Sequence, residues 1–247
     1  MSLLWTLNSS LPGTLWADTG KTVAITDGTG VAAVVPAAGS ITTDAQQATS
    51  GSRPTYRANY SSSGYPALEF DGTADHLAIS HSSDWNVSIL DVFAVVTLNS
   101  LAFRGIIGKW TNSSWNDGWV VCTDTVGFVF GAPSYTNGSA RYTAATRILI
   151  YAHFQSVWNW GRFGDYYGGG VIGAGPANNT ASVHIGRADP SGAYFLSGAM
   201  NELRVYGGGE TDAALTAIRT EMLAAWGLTP DVAGGIPIAR GMHGGMR

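Results

Sequence analysis

"GYPALEFDGTADHLAIS", residues 64–80, is the stretch on which the reading of this chain turns. A hydrophobic alternation through Leu68 and Phe70 runs into a tight acidic turn, "DGTAD", and leaves as a second alternating segment, "HLAIS". Alternation with period two marks a half-buried strand. Gly72 supplies backbone freedom where Asp71 and Asp75 crowd the bend. Glu69 alternates with Leu68 and Phe70, which sends it towards solvent or a neighbouring strand.

The same pattern recurs along the chain. "TVAIT", "DVFAVVTL", "RGIIGKW", "GWVVCT", "VGFVF", "RILIYAHF", "SVHIG" and "NELRVY" are rich in β-branched and aromatic residues and are separated by Gly, Ser, Asn or Asp clusters. Short strands spaced by turn signals predict an antiparallel sandwich or barrel, and 33 glycines give the turns ample positive-φ capacity. "WVVCTD" reads as strand core around Cys122. One stretch alone has helical period: in "TDAALTAIRTEMLAAWGL" (211–228), Ala214, Leu215, Ile218, Met222 and Leu223 share a face. Thr211 or Asp212 caps its start, Gly227 stands where a terminating glycine belongs, and its apolar stripe packs on the sandwich. Residues 1–50 are only weakly strand-like, and residues 1–13 read as an N-terminal arm. The tail, residues 229–247, is glycine-rich and without usable periodicity, an extended arm of the kind that suits an assembly.

Composition narrows the function. At 247 residues the chain is long enough for a sizeable single β core. Charged residues make up only 12%, about half the usual share. Two lysines (Lys21, Lys109) and four glutamates (Glu69, Glu202, Glu210, Glu221) occur in the whole chain, so Ser, Thr, Asn and Gly build the polar surface. Such poverty of charge fits either an ordinary β-protein rich in small polar residues or a surface covered by neighbouring chains. A net charge of −4 with no basic run argues against nucleic acid. A single cysteine allows no intrachain disulfide and no cysteine zinc cluster. The start, "MSLLWTLNSS", lacks a basic n-region, and no run approaches the about 18 apolar residues that span a bilayer. The expectation is a protein made in a cytoplasm and kept soluble there or assembled from there.

Three stretches together resemble the laminin-G-like, concanavalin-A-like jelly-roll modules of phage and bacterial surface proteins. "TLWADTGKTVAITDGTGVAAVV" (14–35) with "QQATSGSRPTYR" (46–57) is similar to the family's leader. "YPALEFDGTADHLAIS" resembles its entry strand. "SVHIGRADPSGAYFLSGAMNELRVYGGGETDAALTAIRTEMLAAWGL" (182–228) resembles its closing strands and final helix. The resemblance spans residues 14–228. It implies a jelly-roll β-sandwich entered at "FDGTAD", with Leu68 and Phe70 turned inward, and a structural role for the acidic Glu202. The chain departs from the family at "VVPAAGSITTDAQQAT" and at the aromatic, glycine-rich "VWNWGRFGDYYGGGVIGAG" (157–175).

Catalytic residues are not expected. Retaining glycosidases on such folds need two carboxyl groups about 5–5.5 Å apart, and no E-x-D-x-(x)-E spacing occurs. The five histidines (His76, His81, His153, His184, His243) are scattered; His76 and His81 flank the entry strand without making a metal motif. No cofactor is expected. Calcium, which these modules frequently hold, has its oxygen donors in Asp71, Asp75 and Asp117, though no loop has the dense spacing of a dedicated site. The aromatic loops carry the strongest surface signal. "KWTNSSWNDGWVV" (109–121) sets Trp110, Trp115 and Trp119 around Asn116 and Asp117, and residues 157–167 add Trp158, Trp160, Tyr166 and Tyr167. Flat rings beside amides and carboxylates suit sugars, subunit contacts or strand-end core.

The leading expectation is a non-enzymatic virion protein, a decoration, fibre or tail component built on a laminin-G-like jelly roll. Its partners would be other virion proteins and copies of itself, with no nucleic acid and no membrane. The alternative is a carbohydrate-binding module that attaches to host or environmental glycan.

Overall fold

The computed structural model describes residues 2–62, 64–100, 102–111, 118–123, 128–132, 134–138, 144–155, 159–163, 166–170, 179–188, 193–209 and 211–229. In chain order the first strands are β1 (Ser2–Asn8), β2 (Leu15–Trp16), β3 (Ala33–Val34), β4 (Ala45–Gln46), β5 (Thr55–Arg57), β6 (Ala67–Asp71), β7 (Leu77–Ile79) and β8 (Ile89–Leu98). They are followed by β9 (Arg104–Lys109), β10 (Trp119–Thr123), β11 (Phe128–Ala132), β12 (Ser134–Gly138), β13 (Arg147–Gln155) and β14 (Asn159–Phe163). β15 (Tyr166–Gly170), β16 (Val183–Ile185), β17 (Ser197–Gly207) and the helix α1 (Asp212–Ala225) complete the order. Two antiparallel sheets form a sandwich. The first runs β15-β14-β13-β8-β17-β6-β5, with β1 also on β17; the second runs β12-β11-β10-β9-β16-β7-β4-β3-β2.

The strand pattern explains the layers. In β8, Leu90, Val92, Ala94, Val96 and Leu98 join the core between the sheets, while Phe93 and Val95 point the other way and meet α1. A strand covered on both faces reads as an unbroken apolar run, which is why "DVFAVVTL" shows no alternation. Leu68 and Phe70 are both buried in the inter-sheet core, as the entry-strand resemblance implies. Glu69 turns to the neighbouring strand, where Arg57 Nε donates to it at 2.6 Å. α1 lays Leu215, Ile218, Met222, Leu223 and Trp226 on Phe93, Val95, Leu149, Tyr151 and Tyr206. Thr211 Oγ1 accepts the Ala214 N–H at its start, and Gly227 (φ +60°) ends it in the left-handed region.

Within the expected arm of residues 1–13, Ser2–Asn8 is a strand of the first sheet instead. β1 pairs along Glu202–Gly207 of β17, and Leu4, Trp5 and Leu7 are core. β6 pairs with the earlier part of β17, Ser197–Met200, so β1 and β6 follow one another along the same edge. The change of partner falls at a register irregularity between Met200 and Glu202. Ser9 Oγ donates to Asn201 O and Pro66 O, and Asn201 Nδ2 also donates to Pro66 O, so the bulge is held from both neighbours. Glu202 then binds three elements together: it accepts from Trp226 Nε1 of α1 at 2.5 Å, from Arg204 Nε at 2.7 Å and from Asn8 of β1 at 3.5 Å.

"TVAIT" does not form a strand: Val23 is exposed, its N–H is taken by Asp18, and the segment makes a single bridge between Ala24 and Trp16. The stretch at 157–175 contributes the β14–β15 pair, which extends the edge of the first sheet. The expected tail lies outside the described residues beyond Thr229. Among the described residues no helix is long and apolar enough to cross a membrane.

Candidate functional site

α1 covers the outer face of the first sheet; among the described residues no α-helix lies on the outer face of the second. On that sheet Leu77, Ile79, Val183 and Ile185 point into the core, leaving Ala78 and His184 on the outer face. His184 sits on β16, in the middle of the sheet, directly between Ala78 of β7 and Gly108 of β9. Its neighbours on both sides are therefore small, and the imidazole stands clear of them. Beyond Gly108 the face is closed by a satellite cluster of Trp110, Val120, Cys122 and Ala188, with Phe103 against it. A Cβ on Gly108 would come within 3.1 Å of Trp110 Cη2 and Val120 Cγ2, so glycine is what lets the indole settle there.

His76 reaches the same face from the "DGTAD" turn. Asp71 Oδ1 accepts the N–H groups of Thr73, Ala74 and Asp75, and Asp75 Oδ2 accepts the Asp71 N–H at 3.1 Å. Gly72 adopts φ +80°, and Arg104 clamps the turn by donating to Gly72 O and Phe195 O. Although burial opposes it, the amides and the Thr73 hydroxyl hold the Asp71 carboxyl down at about 2. Burial first, and the Asp71 charge second, push Asp75 up to about 6. Both carboxylates thus serve the turn rather than a ligand.

The two histidines are fixed as neutral rings. His76 Nδ1 lies 2.9 Å from Ala74 O, which can only accept, so Nδ1 carries the proton and Nε2 accepts from Gln47 Nε2 at 3.1 Å. Burial lowers the His76 pKa. Burial, the Arg187 charge and then His76 take His184 down to about 3. Arg187 Nη2 stands 3.1 Å from the His184 ring nitrogens, as donor to an imidazole that stays an acceptor. The rings are 6.1 Å apart, and Phe195 lies 5.9 Å from His76.

Tyr194 completes the patch. It is 44% exposed, one of few large hydrophobic residues so placed among those described. Its backbone is left-handed, φ +62°, which costs a non-glycine residue about 1–3 kcal/mol and persists only where the surroundings impose it. The imposition is visible: its carbonyl accepts from Gly105 N and Ala188 N, and its ring meets Phe103 edge-on at 4.7 Å. Its sequence neighbour Phe195 packs on His76, so a strained, solvent-facing aromatic adjoins the segment that meets the imidazoles, and such a ring can stack on the apolar face of a sugar.

The residues singled out from sequence are placed differently. Trp119 is fully buried between Trp85 and Phe154, and Trp110 is 4% exposed in the satellite cluster. Trp119 therefore lies in the core between the sheets and Trp110 in the satellite cluster, and neither offers a free face to a ligand. Trp115, Asn116, Asp117 and Trp158 lie outside the described residues. Trp160 takes the register position opposite His153, Tyr166 that opposite Phe163, and Tyr167 that opposite Arg162. Among the described residues no group of three or more His, Cys, Asp or Glu could hold a metal. The His76–His184 pair escapes a reading of the sequence, which couples His76 to His81 instead; the β7–β16 pairing that joins them is non-local and leaves no short-range signal.

The architecture is that of an antiparallel β-sandwich with one terminal helix. Among solved structures it is similar to the CBM40 of the Ruminococcus gnavus IT-sialidase bound to α2,3-sialyllactose, with TM-score 0.52 and 11% identity over 62% of this chain and 95% of that one. It is also similar to the Trypanosoma rangeli sialidase, with TM-score 0.55 and 11% identity in the complex with the inhibitor DANA, over 87% of this chain and 32% of that one. The complex of that enzyme with sialic acid matches with TM-score 0.54 and 14% identity, over 91% and 33%. This chain spans about a third of the sialidase, and at such identities the likeness is one of fold. No family model matches the chain, and no curated protein matches it by sequence.

Proposed function

We propose that this chain is a non-catalytic carbohydrate-binding module whose glycan surface is the outer face of the second sheet, centred on His184 and bordered by Tyr194. The observation that carries this reading is Tyr194 itself, held exposed in a left-handed backbone next in sequence to Phe195, whose ring packs on His76 of the His76–His184–Arg187 cluster. Support comes from the fold, shared with a module whose solved structure holds sialyllactose. Catalysis finds no support in the close carboxylate pair of Asp71 and Asp75. Their pKa values are split as an acid–base pair's would be, yet the turn's own amides occupy the oxygens named above.

A glycan array with the purified chain, followed by calorimetry on the best ligand, tests the reading. Tyr194→Ala and His184→Ala should each weaken binding at least about tenfold, a loss of about 1.4 kcal/mol, with the melting curve preserved. Retained affinity in both variants refutes the assignment of the face. Loss in Trp115→Ala alone would transfer the site to the tryptophan loop.

A place on a virion, built on a laminin-G-like module, is the finer reading of the sequence resemblance, and it is compatible with glycan binding by an attachment particle. It rests on that resemblance and on the 12% charge content. Light scattering of the full chain against a form lacking residues 229–247 tests it: a defined oligomer reduced to monomers supports assembly through the tail, and a monomer in both cases speaks against self-assembly.

A further inference from the structure

On the opposite side of the sandwich, a cleft of about 290 Å³ lies between the start of β13 and the C-terminal end of α1. Arg147, Thr146, Leu149 and Tyr151 form one wall; Arg219, Leu223, Leu228 and Thr229 form the other. Among the described residues no aspartate or glutamate lines it. The Arg147 guanidinium lies 3.9 Å from the centre of the Tyr65 ring, which fixes its plane, and Tyr65 is wedged between Trp226 and Gly227. Nε and Nη1 of Arg147 are buried and donate to nothing among the described residues. Burial lowers the pKa of this group, but a guanidinium stays charged throughout the physiological range.

Arg147 thus lines the cleft with two buried, unspent donors, and apart from the Tyr65 ring no acidic group among the described residues of the cleft stands ready to neutralise it. The helix end nearby offers only partial negative charge, from carbonyls that Gly227 and Leu228 already partly satisfy. We propose that this cleft binds a small carboxylate ligand, with Arg147 taking the carboxylate through its planar donors and Arg219 adding charge at the rim. The volume suits a molecule of monosaccharide size. The planar guanidinium fork of Arg147 can take both oxygens of one carboxylate and neutralises its single negative charge. The site is independent of the glycan face, since the two lie on opposite outer faces of the sandwich.

Calorimetry on the full chain at low ionic strength, with D-glucuronate as probe, tests the inference. D-glucose, which differs in lacking the carboxylate, and inorganic phosphate are the comparison ligands. Saturable glucuronate binding is expected, with glucose silent, phosphate weaker, and affinity falling as salt rises. Arg147→Lys keeps the charge and loses the planar fork, so it should weaken glucuronate at least about tenfold with the circular dichroism melt retained. If that variant fails to fold, Arg219→Gln provides the second reading, with a weaker and less salt-dependent affinity. Equal heats for glucuronate and glucose, tighter binding of phosphate, or unchanged affinity in Arg147→Lys overturn the proposal. So does binding seen only in Asp231→Asn: Asp231 lies two residues beyond Thr229, within about 7 Å of chain, and such a result would show that the protein's own carboxylate fills the cleft.

Discussion

Replacing Asp75 by asparagine should stabilise the protein at neutral pH and leave it unchanged in acid. Asp75 is 7% exposed and lies beside Asp71, and its carboxyl titrates at about 6 rather than the ordinary 3.8. Below pH 3.8 the group is protonated in both folded and unfolded chains and its ionisation contributes nothing. Between 3.8 and 6 the unfolded chain releases the proton while the folded chain keeps it, so stability falls as pH rises. Above 6 the cost is complete. The displacement from 3.8 to about 6 corresponds to about 3 kcal/mol. Part of it is the field of the exposed Asp71, which salt screens, so about 2 kcal/mol is the expected gain for Asp75→Asn at about pH 7.5 in ordinary buffer. The new amide keeps a carbonyl oxygen for the Asp71 N–H, so the turn retains its bond. Urea unfolding followed by tryptophan fluorescence, at intervals from about pH 3 to about pH 8, reads the difference directly. A gain that is nil at the acid end and rises through about pH 6 supports the reasoning. A variant destabilised by the same amount at every pH would show that the carboxylate is ionised and favourably partnered in the fold.

Two further outcomes follow from the packing. Trp226→Phe removes the indole N–H that donates to buried Glu202 and should cost about 2 kcal/mol in urea titrations, with α1 loosened; a loss under about 0.5 kcal/mol would show that Arg204 and Asn8 suffice. Gly105→Ala would place a methyl group 2.0 Å from Ala188 N, so it should lower the melting temperature far more than Gly108→Ala, whose nearest neighbours are at 3.1 Å, and Gly13→Ala, with nothing within 4 Å, should be neutral. The reverse order between Gly105 and Gly108 would refute the backbone packing at the border of the glycan face.

Much of the fold is legible in local pattern because period and cap chemistry are local. Alternation through Leu68 and Phe70, the turn glycine at Gly72, and the Thr211 cap and Gly227 stop on α1 all follow from a few adjacent residues, and the structure realises each. β1 is not legible in this way, for a physical reason. Leu4, Trp5, Thr6 and Leu7 are buried on both faces, so the strand shows no alternation, and its partner β17 lies at the far end of the chain. The β14–β15 hairpin is hidden by glycines, which carry no pattern at all.

The candidate site depends still more on long-range pairing. Tryptophans at 110 and 119 look alike as sequence, yet the fold places one in the satellite cluster and the other in the core between the sheets. Neither is available to a ligand. His76 and His184 carry no mutual signal until β7 and β16 pair, and nothing near Tyr194 in sequence announces a left-handed backbone. By itself, then, the sequence determined a charge-poor antiparallel β-protein with one capped helix, and the family resemblance implied a structural Glu202. Only the tertiary structure decided which aromatic rings are core and which face solvent, and which polar groups meet. Period two says that a residue alternates, whereas the identity of the neighbouring strand, and hence of the neighbouring side chain, is set by contacts across the whole chain.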